Sequence, residues 1–410
     1  SMSFLKKMTV LLIAMPTLSW AESDLCGVIN NVSQVVACAE SKSPEIKRAE
    51  ANLKIKKAAE GFAGQLQNPE LSTEYVSGAS SGENQSEMDL SLAFPIEVGG
   101  GRSARKSLAS FESKRAELEL IKVRADVRKQ TLLKLARVRQ IYDELSMIQE
   151  SVDTFSKLIR QYKDRPKLTP EQEVTLTVFS IAKMDYSFKE AEHEEELTKL
   201  DMDFKILIDH SISDLRVILP AKIAKWPVVS QSSEDSPLLA IYDSDIGASR
   251  ADLAKSKSEI FPSLSIGPSF KRVTDGDQNV SQLGINLSMP LPVLNMNNGG
   301  RAVAMANVLA AETRRDLATK ELKAVRESTY QQYVNSVKLL QESANGASQE
   351  ERHKKVENLF FRGLVPSSLV IEAHRALVDF GKTRNERELK ALENLFDIQI
   401  IDGKAVELSL

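Results

Sequence analysis

The feature that most constrains this 410-residue chain is that its second half repeats its first. Ser43-Pro44 returns as Ser236-Pro237 and Asn68-Pro69 as Phe261-Pro262, both offset by 193 positions. Phe94-Pro95 answers to Met289-Pro290 at an offset of 195, and Gly101-Arg102 to Gly300-Arg301 at 199. Leu168-Thr169-Pro170 matches Leu364-Val365-Pro366 at 196, so the second copy carries small insertions. A repeat this long is not a solenoid unit. Each copy must hold helix and strand in a fixed order, and that order is the guide to function.

Within each copy the hydrophobic period changes from helix to strand and back. Residues 28–66 read as helix interrupted at Ser43-Pro44, because proline suits a first helical turn, and Asn68-Pro69 stops it. A hairpin follows. Leu71, Thr73 and Tyr75 alternate with Ser72, Glu74 and Val76, which distinguishes the two faces only weakly. After a Gly/Ser-rich turn, Ser77 to Ser86, the residues Met88, Leu90, Leu92 and Phe94 alternate cleanly with Asp89, Ser91 and Ala93. In the second copy Leu264, Ile266 and Phe270 alternate with serines, Asp275-Gly276-Asp277 turns, and Leu283, Ile285, Leu287 and Met289 complete the design.

Arg102 to Lys163 then runs without proline or glycine, a helix of about 90 Å at about 1.5 Å per residue. Val138, Ile141, Leu145, Ile148, Val152, Phe155, Ile159 and Tyr162 step alternately by three and four, a heptad seam that predicts coiled-coil packing. The chain turns at Asp164 to Pro170 and returns through Val174, Val178, Ile181, Phe188, Leu197, Leu200, Phe204 and Leu207. The second copy runs from Arg301 to about Phe361, interrupted at Gly346, turns at Arg362 to Pro366, and returns to about Ile401.

The expected organisation is therefore a signal peptide over 1–21, an N-terminal periplasmic segment over 22–42 and a first repeat over 43–210. That repeat contains a β-hairpin at 71–95 and a helical hairpin at 102–208. A linker over 211–235 leads to a second repeat over 236–403, with its β-hairpin at 263–290 and its helical hairpin at 301–401, and a tail over 404–410. The signal reading rests on Lys6 and Lys7, the apolar run Met8 to Leu18, and the small residues around Ser19-Trp20-Ala21. It implies an oxidising compartment, in which Cys26 and Cys38 can pair. Twelve residues of continuous helix would hold them about 18 Å apart, too far for a bond, so they pair only if the segment between them bends.

Charged residues at 27% with aromatics at only 6% suit long helices better than an enzyme core. A net charge of −3 with no basic stripe argues against nucleic acid. His193, His210, His353 and His374 are scattered without metal-ligand spacing, and His193-Glu194-Glu195-Glu196 lacks the second histidine of a zincin helix. Gly99 to Gly101 precedes a helix but lacks the nucleotide-binding pattern. No catalytic group, cofactor or metal site is expected.

Four alternating strands suit a wall with lipid on one side and water on the other. Four cannot close a barrel, and open edges are not tolerated in hydrocarbon. If these strands span a membrane, the chain must oligomerise. The competing reading packs the hairpins on a soluble core, but coiled coil stands where that core should be.

The order helix, β-hairpin, long helical hairpin, performed twice, resembles the TolC family of outer-membrane factors over about residues 28–403. Two joints narrow the likeness. Pro95-Ile96-Glu97-Val98-Gly99-Gly100-Gly101-Arg102-Ser103-Ala104-Arg105 and Pro290-Leu291-Pro292-Val293-Leu294-Asn295-Met296-Asn297-Asn298-Gly299-Gly300 resemble those of the CzcC-like heavy-metal branch. The resemblance implies an α+β membrane protein, internally duplicated, with four transmembrane strands per protomer. A homotrimer would form a 12-stranded barrel in outer-membrane lipid of a Gram-negative bacterium. Most of its mass would be a periplasmic α-helical barrel. It implies a passive exit duct gripped by a periplasmic adaptor and energised by an inner-membrane pump of the resistance-nodulation-division type. Heavy-metal cations are the first expectation for cargo. Drugs or secreted proteins are the runner-up, and a periplasmic coiled-coil scaffold is the alternative of a different class.

The resemblance also places the adaptor contacts at the helix tips. These are Arg165, Lys167, Leu168 and Thr169 in the first copy, and Arg362, Gly363, Leu364, Val365 and Ser367 in the second. The second turn matches the family's Arg-Gly-Leu-x-x-Ser tip; the first lacks the glycine. Gly363 equally suits an ordinary left-handed helix end. Counting from Gly363, the family's acidic pore constriction falls on Glu372, where a carboxylate ring would favour cations. His374 beside it can add pH-dependent charge or weak metal affinity.

Overall fold

The computed structural model describes residues 26–406 apart from 81–82, 232–234, 262 and 345–348. The signal-peptide reading and the interruption at Gly346 lie outside the described residues. In chain order α1 (Val32–Lys42) and α2 (Pro44–Ala63) lead into β1 (Glu70–Ser80) and β2 (Glu83–Ile96), then into α3 (Gly101–Lys163) and α4 (Pro170–Ile208). A short α5 (Ile212–Leu215) opens the linker. Then come α6 (Leu239–Ser258), β3 (Leu264–Asp275), β4 (Gln278–Ser288), α7 (Asn298–Ala344), α8 (Gln349–Phe361) and α9 (Ser367–Ile401).

Local chemistry sets the helix ends. Ser43 caps α2, its Oγ accepting from the Ile46 N–H, with Pro44 in the first turn. Thr169 and Gln172 form a reciprocal capping box at the start of α4, followed by Pro170. Asn31 caps α1, so residues 28–31 lie ahead of the helix rather than within it. That break supplies the bend the cysteines need: the Cα atoms of Cys26 and Cys38 stand 5.1 Å apart and the pair is a disulfide.

α3 runs 63 residues, about 95 Å at about 1.5 Å per residue, and packs in turn against α2, α6, α4 and α9. Its heptad seam is buried at Val138, Ile141, Leu145, Ile148 and Phe155. Burying each such side chain contributes about 1.5–3 kcal/mol, which explains how a helix this long and this charged is held. Beyond a small cluster of Ile46 with Leu120 and Val127, three larger apolar clusters divide its length. An aromatic one near the helical turns joins Phe155, Phe179 and Tyr186 to Ile148, Leu158, Val370 and Val378. A second gathers Val35, Cys38, Leu135, Phe204, Ile208 and Leu215. A third seats Trp226 of the linker among Leu132, Tyr333, Leu392, Leu395 and Phe396.

The four strands form one antiparallel sheet in the order β1-β2-β3-β4, with β1 and β4 at its edges. Its register answers the ambiguity of β1. Leu71, Thr73 and Tyr75 stand opposite Leu92, Leu90 and Met88, so they join the apolar face. At β3 the pairing with β2 skips Leu92 and Ala93, beside Gly267 and Pro268. Pro268 has no N–H to give the ladder, and a Cβ on Gly267 would lie 1.6 Å from the Leu92 carbonyl oxygen. Only glycine allows the two backbones to approach that closely.

Candidate functional site

The sheet is amphipathic across all four strands. Row by row, Thr73, Leu90, Phe270 and Leu283 share one face, as do Phe94, Ile266 and Leu287. The other face carries Glu74, Asp89, Lys271 and Gln282 in one row, and Ser72, Ser91, Ser269 and Gly284 in the next. Lys271 contacts both Glu87 and Asp89, and Ser91 bonds Ser72, so the polar face is internally paired. The apolar face is not covered by this chain: Leu283, Ile285 and Leu287 are exposed, Ile285 at 79%. From the Ile96–Leu264 row to the Met88–Arg272 row is eight residues, about 26 Å at about 3.3 Å each, close to the apolar band of a membrane barrel.

A second uncovered apolar surface runs along α4. Val174, Val178, Ile181 and Phe188 are exposed, Phe188 at 69%, while Phe179, Ala182 and Tyr186 meet the core. The return helix thus has two apolar faces along this stretch, of which only one is buried within the chain. Among the described residues no helix is long and apolar enough to cross a membrane.

Both helical turns lie at the same end, because Phe179 of α4 packs on Tyr162 at the end of α3 and on Phe360 at the end of α8. Arg165, Lys167 and Thr169 are exposed, with Leu168 half-buried. The Arg165 guanidinium lies over the Tyr162 ring. In the second turn Gly363 sits at φ 71°. Its N–H reaches the Phe360 carbonyl at 2.8 Å and that of Leu364 reaches Leu359 at 3.0 Å, the paired bonds of a Schellman cap. That cap leaves Arg362, Gly363 and Leu364 exposed as a knob, with Val365 and Ser367 half-buried behind it.

Glu372 is exposed and pairs with Arg375 one turn on. His374 corrects its expectation. It is fully buried, its ring 5.1 Å from that of Phe155, and it bonds Ser151, His353 and Glu357 rather than facing any lumen. Two residues along a helix are about 200° around its axis, so Glu372 and His374 cannot share one face. Its contacts with His353 and then His374 hold the Glu357 carboxyl well below the usual carboxylate range, outweighing its partial burial.

Further along the bundle, Glu144 is a buried hub that sequence reasoning missed. At 1% exposure its carboxylate accepts from His193 Nε2 at 2.7 Å, Asn385 Nδ2 at 2.8 Å and Arg137 Nη1 at 3.0 Å. Three helices, α3, α4 and α9, meet there. Burial alone would raise the Glu144 carboxyl, but the bonds from His193, Asn385 and Arg137 hold it lower than usual. The same bond to Glu144 raises His193 against the opposing effect of burial. Neighbouring Arg139 pairs with buried Glu388, and Gln140 donates to the Asn385 carbonyl oxygen. The signal was charged residues falling on the apolar seam, but their partners lie 49 and 241 positions away. These bonds brace α3, α4 and α9 against one another.

No family model matches the chain. The cobalt-zinc-cadmium resistance protein CzcC of Cupriavidus metallidurans is 25% identical over 243 residues, 57% of this chain. The match spans 56% of that relative's length. A membrane protein from Pseudomonas aeruginosa superposes with a TM-score of 0.73 at 13% identity, covering 97% of each chain. The Campylobacter jejuni CmeC outer membrane channel gives 0.67 at 15% identity, covering 93% of this chain and 87% of its own. The chain shares the fold of these proteins, the CmeC outer membrane channel among them.

Proposed function

We propose that this chain is one protomer of a trimeric efflux exit duct in the outer membrane of a Gram-negative bacterium. Most of its mass stands in the periplasm. The observation that carries this reading is the four-stranded sheet with one apolar face, one polar face and both edges open. In hydrocarbon each open edge would leave unpaired backbone groups at several kcal/mol apiece, roughly. Sister chains remove that cost when β4 of one pairs with β1 of the next, and three chains give twelve strands. The uncovered stripe Val174, Val178, Ile181 and Phe188 on α4 supports helix packing between the same neighbours.

The duct is passive and works with a periplasmic adaptor and an inner-membrane pump. The adaptor docks on the exposed tips, Arg165, Lys167, Leu168 and Thr169 with Arg362, Gly363, Leu364, Val365 and Ser367. Glu372, near the tip and exposed, lines the constriction; His374 does not. Divalent heavy-metal cations are the favoured cargo, supported by the likeness to a cobalt-zinc-cadmium resistance protein. Purified protein in planar bilayers tests the duct. Discrete conductance is expected, with cation selectivity that falls in Glu372→Ala. A silent bilayer overturns the duct, and unchanged selectivity removes Glu372 from the constriction.

A further inference from the structure

Two of the four histidines meet behind the helical tips. His353 and Glu357 stand one turn apart on α8, on one face. His374 of α9 reaches the same point from across the turn. His353 Nε2 lies 3.1 Å from His374 Nε2, and Glu357 Oε1 lies 3.2 Å and 2.9 Å from those two nitrogens. His353 is 3% exposed, His374 fully buried and Glu357 half-buried, so the cluster is walled on most sides. Two imidazoles and a carboxylate converge within 4.8 Å of one another.

Hydrogen bonding decides which atoms point inward. The Ser151 hydroxyl donates to the Met147 carbonyl at 3.0 Å. It can therefore only accept from His374 Nδ1, 2.9 Å away. With its proton on Nδ1, His374 turns a bare Nε2 lone pair toward the Glu357 carboxylate. A hydrogen on His353 Nε2 can bridge to one or both of those acceptors, but it does not relieve the 2.9 Å contact between lone pair and carboxylate. His353 Nδ1 has no hydrogen-bond partner, so the ring's polar contacts are those of the cluster. A cation held between the three groups would relieve that contact, as would a second proton on His374.

The spacing suits a metal ion. Ligand atoms about 2.0–2.1 Å from a small divalent ion stand about 2.9 Å apart at right angles and about 3.3 Å apart at tetrahedral angles. The three observed separations fall in that interval. The Ser151–His374 bond is the outer-sphere contact that fixes a metal-bound histidine's tautomer and orientation. Two imidazoles with one carboxylate favour zinc and neighbouring first-row divalent ions over calcium or magnesium. We propose that His353, Glu357 and His374 bind one such ion per chain, with a fourth position open to water on the Glu357 side. Ser151 acts as a positioning residue. The ion ties α8 to α9 across the adaptor-facing turn, inside the helical wall, whatever cargo the duct carries.

The test uses full-length protein without a polyhistidine tag, purified in detergent, stripped by chelator and titrated with Zn²⁺ against a chromophoric competitor. One Zn²⁺ per chain is expected. Affinity should fall at least about 100-fold in His374→Gln and His353→Gln, and about 10-fold in Ser151→Ala, where all three ligands remain. Zn²⁺ should also slow amide exchange over residues 353–375 in the wild type and less in Ser151→Ala. If the histidine variants fail to fold, Ser151→Ala and the exchange measurement still decide. No stoichiometric Zn²⁺ in the wild type, or equal affinity in the wild type and Ser151→Ala with no change in exchange, overturns the site.

Discussion

Two neighbouring residues of β4 should respond oppositely to the same substitution. Ile285 pairs with Pro268 at the middle of the apolar band, four residues from either margin at Leu264 and Arg272, and its side chain is 79% exposed in the protomer. Asn286 is next along the strand and faces the other way, opposite Gly267. Arginine on the lipid face at mid-bilayer costs about 2–4 kcal/mol, while lumen positions are tolerant. Ile285→Arg should thus weaken folding into lipid vesicles by about 30- to 700-fold per chain, at about 1.4 kcal/mol per tenfold. Asn286→Arg should shift it by less than about 1 kcal/mol. Denaturant titration of vesicle-inserted protein reads both, and outer-membrane abundance provides a second readout. Equal effects, or a larger penalty at Asn286, would refute the assignment of faces.

The Glu144–His193 pair gives stability a defined pH window. The raised His193 contributes fully below its unfolded value of about 6.5 and loses that contribution as pH rises through its folded value. The lowered Glu144 contributes above about 4.5 and loses it as pH falls through its folded value. The melting-temperature gap between wild type and His193→Gln should therefore narrow as pH rises above about 6.5; a gap that widens contradicts the pairing. Gly267→Val should disrupt the β2–β3 ladder and lower the yield of inserted protein, whereas Gly78→Val, with open space around its Cβ position, should not; matched yields would count against the close approach. Phe155→Ala, at the centre of the aromatic cluster, should cost about 3–5 kcal/mol in denaturant unfolding; a loss below about 1 kcal/mol would mean the cluster collapses around the gap.

Periodicity made the strands and long helices legible, because each element is long and strongly patterned. What it could not show was which neighbour a stripe meets. Val174, Val178, Ile181 and Phe188 were legible as an apolar stripe, yet Phe179, Ala182 and Tyr186 pack inside the chain. A helix in a barrel wall needs one face for its own chain and another for the next, and a single period does not rank them. Counting from Gly363 points to Glu372, and nearness in sequence then suggests His374, but two residues along a helix face opposite ways. The His353–His374 meeting was hidden because the two residues come from different helices across a turn. The disulfide depended on where α1 begins, and Asn31 places that start four residues later than the apolar pattern suggests.

The central claim is that one chain supplies only part of a lipid-facing cylinder. Native mass spectrometry of the detergent-purified protein tests it most directly. Three chains per particle, falling apart only when the sheet is unfolded, is the predicted result. A stable single chain that stays in solution without detergent would contradict it.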